Sequence, residues 1–249
     1  MLGEDQRWER LAAQNPYWTV LTEARYRGSS LTPDDERAFF QSGHRDIARS
    51  LEFARSIRPG FSPVRTLDFG CGVGRLALAL ASVSQQVVGV DVSDTMVRRA
   101  ERHAAQRQVA NAEFMTASAF WNGSPAPSFD FIHSYIVFQH IPPREGLELM
   151  KSLLRLLMPG GIGALHFTIG RGGWARSTIN RARRWLPPLN WTANLLKGRS
   201  LREPLIPMFV YDIHRVLTVL DGDGATDIRI DLTRHGGFLG AMVIFQTKA

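Results

Sequence analysis

The chain has 249 residues, 44% of them hydrophobic, a formal net charge of +7 and one cysteine, Cys71. This suffices for one α/β domain with a large core, leaves too little chain for two full domains, and excludes an internal disulfide or a cysteine-based metal site. The first residues lack the apolar core of a signal peptide and no apolar run approaches the roughly 18 residues of a membrane span, so a soluble cytoplasmic protein is expected.

From Trp8 to Tyr26 the chain is aromatic and expected to be helical in part. Thr32-Pro33-Asp34-Asp35-Glu36 reads as an N-cap, a first-turn proline and three acids favoured by the helix dipole, predicting a helix towards Phe40. Ile47, Leu51, Phe53, Ala54 and Ile57 predict a second helix that stops before Pro59. Residues 1–60 are therefore expected to form an N-terminal helical cap that packs on a sheet rim or covers a ligand, ahead of a main domain over 61–249.

Strand and helix then alternate. A first strand ends at Leu67 and a helix follows over 75–82. A second strand covers 87–91, and Ser93 caps a helix through His103. Strands are predicted over 113–117 and 129–134, and a helix over 143–157 that ends at Met158-Pro159-Gly160-Gly161. A fifth strand covers 162–169 and a helix 210–221. Residues 227–232 and 238–247, separated by His235-Gly236-Gly237, read as a closing antiparallel pair.

Between the fifth strand and the last helix lies an insertion, 170–208. It is rich in Arg, carries Trp174, Trp185 and Trp191, and is broken by Pro187-Pro188, which predicts one or two amphipathic helices. No Asp or Glu occurs between Leu149 and Arg202, so this stretch faces something acidic or lines a wet surface.

Chemistry concentrates in Asp68-Phe69-Gly70-Cys71-Gly72-Val73-Gly74-Arg75. An apolar strand running through glycines into a helix leaves free backbone N–H groups and a positive helix end, a seat for an anion. The acid at the tip of the next strand, Asp91, can hold two ribose hydroxyls. A dinucleotide fingerprint requires glycine where Arg75 stands, and the Gly-Lys-Ser/Thr ending of a P-loop is absent.

With Asp68, Gly70, Gly72, Gly74 and Asp91 read together, the chain resembles the class I S-adenosylmethionine-dependent methyltransferases, in element order from about Leu51 to Lys248. The resemblance implies a Rossmann-like α/β fold: a seven-stranded sheet, mostly parallel with an antiparallel closing strand, helices on both faces, and a helical insertion before the last helix. It implies S-adenosylmethionine as cofactor and S-adenosylhomocysteine as product. The residues implied at the cofactor are Asp68, Gly70, Cys71, Gly72, Gly74 and Asp91, with Val92, Met96 and Phe120 as apolar walls and Ser118, Ala119 and Ser134 beside them. Ser118 stands where the family usually has the Asp of Gly-Asp-Ala, and serine accepts the adenine amino group more weakly. Cys71, small among loop glycines, also reads as a packing residue.

Ser134-Tyr135-Ile136-Val137-Phe138-Gln139-His140-Ile141-Pro142 is similar to the family's fourth motif, whose loop lies beside the methyl group. His140 is the first candidate for a base and Tyr135 the second, with a histidine that only holds the loop as the equal alternative. His133 lies inside its strand and packs. Arg171, Trp174, Arg176, His166 and His235 are candidates for contact with the substrate.

The expected activity is methyl transfer to an oxygen or nitrogen of a small, anionic metabolite, with 170–208 as a lid and no metal required. The alternatives are a lipid-linked or RNA substrate reached through that segment, and a catalytically silent binding module. DNA is excluded as partner: the Asn/Asp-Pro-Pro-Tyr stretch of amino-directed enzymes is absent, and Cys71 is not placed for carbon methylation. Oligomeric state is left open by the sequence.

Overall fold

The computed structural model describes residues 4–123, 126–171, 206–235 and 237–248. Its centre is a seven-stranded sheet of order β3-β2-β1-β4-β5-β7-β6. The strands are β1 (Arg65–Phe69), β2 (Gln86–Asp91), β3 (Ala112–Thr116), β4 (Phe129–Ser134), β5 (Leu157–Arg171), β6 (Ala225–His235) and β7 (Phe238–Thr247). The first five run parallel, and β7 is antiparallel to both β5 and β6. The order reverses at β1, which pairs with β2 on one side and β4 on the other. In open α/β sheets, ligands bind at the carboxyl ends of the strands where the order reverses.

The helices are α1 (Glu4–Gln14), α2 (Pro16–Val20), α3 (Pro33–Ile57), α4 (Arg75–Ala81), α5 (Asp94–Gln106), α6 (Ala117–Asn122), α7 (Pro143–Leu154) and α8 (Ile213–Gly222). Thr32 caps α3 by accepting from the Asp35 N–H at 3.2 Å, and Ser93 caps α5 by accepting from Met96 N–H at 3.2 Å. One apolar cluster, with Leu67, Ile132, Leu165 and Val243, covers one face of the sheet under α7 and α8. A second, with Ile47, Leu51, Leu76, Leu80 and Ile244, covers the other under α3 and α4. A third gathers the N-terminal aromatics Tyr17, Trp18, Tyr26, Phe39 and Phe40 against Val73 and Met96.

Two expectations are corrected. The two helices expected over 32–57 are one helix of 25 residues. Gly43 in its middle is a close-approach residue, because a Cβ there would lie 2.4 Å from the Arg75 carbonyl oxygen. β5 begins at Leu157, so Met158-Pro159-Gly160-Gly161 enters the sheet and does not end a longer helix. The shift in β4–β5 register between Phe129 and Phe131 absorbs this entry. Smaller differences place the start of α6 at Ala117, expected in a strand, and extend β6 to His235. The amphipathic helices expected over 170–208 lie almost wholly outside the described residues.

Candidate functional site

The carboxyl end of β1 turns through three glycines in left-handed conformation: Gly70 at φ +82°, Gly72 at +55° and Gly74 at +87°. Gly70 is the tightest, since a Cβ there would lie 2.1 Å from a Val137 methyl group in the loop after β4. The loop is tied to β2 by the N–H groups of Gly70 and Cys71, which both donate to the Val90 carbonyl. Cys71 is 4% exposed, and burial raises its thiol pKa well above the ordinary range. It is a packing residue under the loop.

Asp91 ends β2 with its carboxylate turned back on this loop. One oxygen accepts the Gly72 N–H at 2.9 Å and the other accepts the Ser93 N–H at 2.9 Å. Burial pushes its pKa up to about 6, with Asp68 adding to the rise, against the pull of the Ser93, Gly72 and Val92 backbone N–H groups. A carboxylate has about four acceptor positions, so the backbone donors leave capacity for a ribose hydroxyl. Asp68, 1% exposed, bonds through Oδ1 to His133 Nδ1 at 3.2 Å. Its Oδ2 is buried and has no hydrogen-bond partner among the described residues. A glycine loop without room for side chains, a half-satisfied acid beneath it and an acid with spare acceptor positions beside it fit a nucleoside with a cationic or hydroxylated arm. Asp91 would hold the ribose.

The N-terminal segment crosses this site, through contacts the sequence did not reveal. Glu9 of α1 accepts from Ser93 Oγ at 2.6 Å, from Thr95 N–H at 3.2 Å and from the Thr95 hydroxyl, so an acid 84 residues away completes the amino end of α5. Burial raises its pKa, but those bonds and Arg98 outweigh it and hold the carboxyl below its usual value. The Trp8 ring meets His140 edge-on at 4.8 Å, and Val20 stands where a Cβ on Gly72 would be 2.8 Å from it. Glu9→Ala is expected to lower stability by about 0.5–2 kcal/mol, the range for a lost helix cap. Urea denaturation measures it, and an unchanged midpoint would show that α1 is not fastened there.

After β4 the chain makes a tight loop in which Ile136 sits at φ +62°, a strained conformation for a β-branched residue. Ser134 is fully buried and donates to the Phe69 carbonyl at 2.9 Å, joining the ends of β4 and β1. Tyr135 packs edge-on against His166 at 4.8 Å, and the His166 ring lies 5.1 Å from that of His235. Gln139, absent from the sequence candidates, links this group to His140. Its amide nitrogen lies 3.0 Å from His140 Nε2, and its oxygen accepts from Thr168 Oγ1 at 2.8 Å and faces His235 Nε2 at 3.0 Å. His140 Nδ1 is 2.8 Å from the Pro207 carbonyl. Both ring nitrogens of His140 are thus engaged, which is the arrangement of a histidine that holds its loop.

Burial lowers the pKa of all three imidazoles: His140 to about 4, opposed by the Pro207 carbonyl, and His166 to about 3, with His235 and His133 adding to the effect. His235 shifts the same way, by burial. Burial raises the pKa of Tyr135 and keeps it neutral. The structure brings His166, His235, Tyr135 and His140 together, with Nδ1 of both His166 and His235 buried and unpartnered among the described residues.

The remaining candidates are placed unevenly. Met96 and Phe120 are packed into the core at 3% and 6% exposure, whereas Val92 is 40% exposed at the strand tip. Ser118 and Ala119 are exposed in the first turn of α6, whose cap is Thr116. The Arg171 backbone ends β5, and Trp174 and Arg176 lie outside the described residues.

Comparison with known proteins identifies the family. Residues 66–161 match the family model described as a methyltransferase domain. The chain is 29% identical to the ubiquinone biosynthesis O-methyltransferase of Parvibaculum lavamentivorans over 137 residues, 54% of this chain and 53% of that relative. It is 30% identical over 183 residues to the enzyme of the same name from Bartonella tribocorum, 71% of this chain and 70% of the relative. Among solved structures, magnesium protoporphyrin IX methyltransferase from Synechocystis PCC 6803, with bound S-adenosylhomocysteine, shares the fold at a TM-score of 0.65 and 16% identity. That similarity covers 98% of this chain and 100% of the other. On this evidence the chain belongs to the class I S-adenosylmethionine-dependent methyltransferases.

Proposed function

We propose that this enzyme transfers the methyl group to a hydroxyl oxygen of a small, anionic molecule. One observation carries the choice of oxygen: the neutral imidazoles of His166 and His235, each with a ring nitrogen unpartnered among the described residues, stand beside Tyr135, two residues before the Val137 that faces Gly70. A hydroxyl must lose its proton as it is methylated, and a neutral amine does not need a base before it attacks. The relatives named above are O-methyltransferases by name. The acid-free, Arg-rich stretch from Leu149 to Arg202 supports an anionic acceptor.

When bound, S-adenosylmethionine supplies a methyl group on a sulfonium sulfur that departs as a neutral thioether. The chain's own part is positional. Asp91 and the glycine loop fix the donor end, the partly buried Tyr135–His166–His235 group faces the acceptor, and α1 shields the rim from water. An imidazole of lowered pKa is a weak base, which suits a phenol better than an aliphatic alcohol.

The purified protein, incubated with S-adenosylmethionine and either catechol, protocatechuate, aniline or anthranilate, tests the reading. The expected products are methyl ethers, identified by mass spectrometry, with protocatechuate turned over faster than catechol. Methylation confined to the two amines would overturn oxygen as the target, and a preference for catechol would overturn the anionic acceptor.

A further inference from the structure

We propose that His235 is the group that takes the acceptor's hydroxyl proton, on Nδ1, and that Gln139, itself fixed by His140, sets the tautomer that leaves this nitrogen bare. The inference rests on the O-methyl reading above and assigns the proton in it.

A carbonyl oxygen can only accept a hydrogen bond. Pro207 O lies 2.8 Å from His140 Nδ1, so Nδ1 carries the proton and donates. A neutral imidazole has one N–H, so His140 Nε2 is a lone pair and must face a donor. The group 3.0 Å away is the Gln139 side chain, which therefore presents its NH2 there. That orientation turns the Gln139 oxygen to the other side, where it accepts from Thr168 Oγ1 at 2.8 Å and from His235 Nε2 at 3.0 Å. His235 thus holds its proton on Nε2. Its Nδ1 is an acceptor, buried and without a partner among the described residues.

Flipping the amide does not work. His140 would then have to donate from both ring nitrogens and become an imidazolium at a site where burial disfavours charge. The direction of the whole chain is fixed by one backbone oxygen.

His235 is better placed than its neighbours to meet a substrate. His140 has both nitrogens engaged, and His166 is 0% exposed with Nε2 2.7 Å from Thr233 Oγ1. His235 is only partly buried and ends β6 at the turn into β7, where Phe238 pairs with Arg171 at the carboxyl end of β5. It therefore stands on the same rim as the loop after β4. In the proton step the acceptor's O–H bond breaks, the proton forms an N–H bond at Nδ1 and the electron pair stays on oxygen as it attacks. The resulting imidazolium returns the proton to solvent. Gln139 and His140 are positioning residues in this scheme, because they act only through His235.

Two measurements on the full-length chain test it. In long-range 15N–1H spectra of the wild type, with His235 assigned through His235→Asn, the expected pattern is a protonated Nε2 and an unprotonated Nδ1. Gln139→Leu is expected to convert it to a mixture of tautomers. A wild-type Nδ1–H tautomer, or one unaltered by Gln139→Leu, overturns the relay whatever the enzyme's activity.

With protocatechuate and saturating S-adenosylmethionine, both His235→Asn and His235→Ala are expected to lower kcat by about 10²-fold or more. Their S-adenosylhomocysteine Kd by calorimetry is expected to stay within about twofold. Wild-type turnover that survives in both variants overturns His235 as the base and leaves the O-methyl reading standing. A wild type that methylates only amines overturns both.

Discussion

Asp46→Ala is expected to destabilise the protein by about 3 kcal/mol, the lower end of the range for stripping a buried charge of its partner. Arg75 opens α4 directly after the glycine loop, and its side chain is 2% exposed. Its guanidinium donates to Asp46 at 2.6 Å and to Ser42 Oγ at 3.0 Å, both on α3, and its Nε is buried with no partner among the described residues. Without the carboxylate, Ser42 alone would face a charge that cannot reach bulk water. The Asp46 side chain is itself 37% exposed, so water can replace part of what is lost, and this places the estimate at the lower end. A fall in the urea midpoint at constant m-value is the expected signature. Arg75→Met on the Asp46→Ala background is expected to recover most of the loss, because the charge that needed pairing is gone. A single variant within about 1 kcal/mol of wild type, or a double variant no better than the single, would show that the pair is incidental.

That ion pair also explains a residue the sequence could read only by what it is not. Arg75 stands where a dinucleotide fold requires glycine, and on sequence alone it served to exclude that ligand class. In the structure it locks α4 to α3, and Gly43 lets the two helices approach until a Cβ would collide with the Arg75 carbonyl. The glycine loop thus hangs from a helix pair tied by a buried charge. Features governed by local chemistry were legible in advance: the caps Thr32 and Ser93, the glycine turn from β1 into α4, and the acid that ends β2. Features that depend on contacts between distant parts of the chain were not.

Glu9 capping α5 and the Pro207–His140–Gln139–His235 chain have no signature in spacing, because each joins segments more than sixty residues apart. His140 shows the difference most clearly. Its motif put it beside the chemistry, but only its partners show that both ring nitrogens are already engaged. The continuity of α3 through Gly43, where two helices were expected, has the same origin. Glycine reads locally as a weak helix former, and here tertiary packing overrides that tendency.

Asp91→Ala is expected to weaken S-adenosylmethionine binding by about 1–3 kcal/mol, a rise in Kd of roughly fivefold to 150-fold. The carboxylate takes backbone donors, and its remaining acceptor capacity is what a ribose hydroxyl would use. A pH series separates this role from loop support. Hydroxyls donate to the ionised acid, so binding favours the deprotonated form and lowers the pKa from its free value of about 6. Wild-type affinity should therefore be constant above about pH 7 and fall as pH drops through about 6, by up to tenfold per unit. In Asp91→Ala that slope should vanish. The effect on folding has the opposite sign: an acid whose folded pKa is raised contributes stability at low pH, and loses it as pH rises through about 6. Over the range in which the free protein loses stability the complex should lose less, because the tighter binding offsets the loss. Calorimetric titrations of both proteins at several pH values decide the matter. Equal affinities with parallel pH dependence would leave Asp91 as a support for the Gly72 and Ser93 N–H groups and no more.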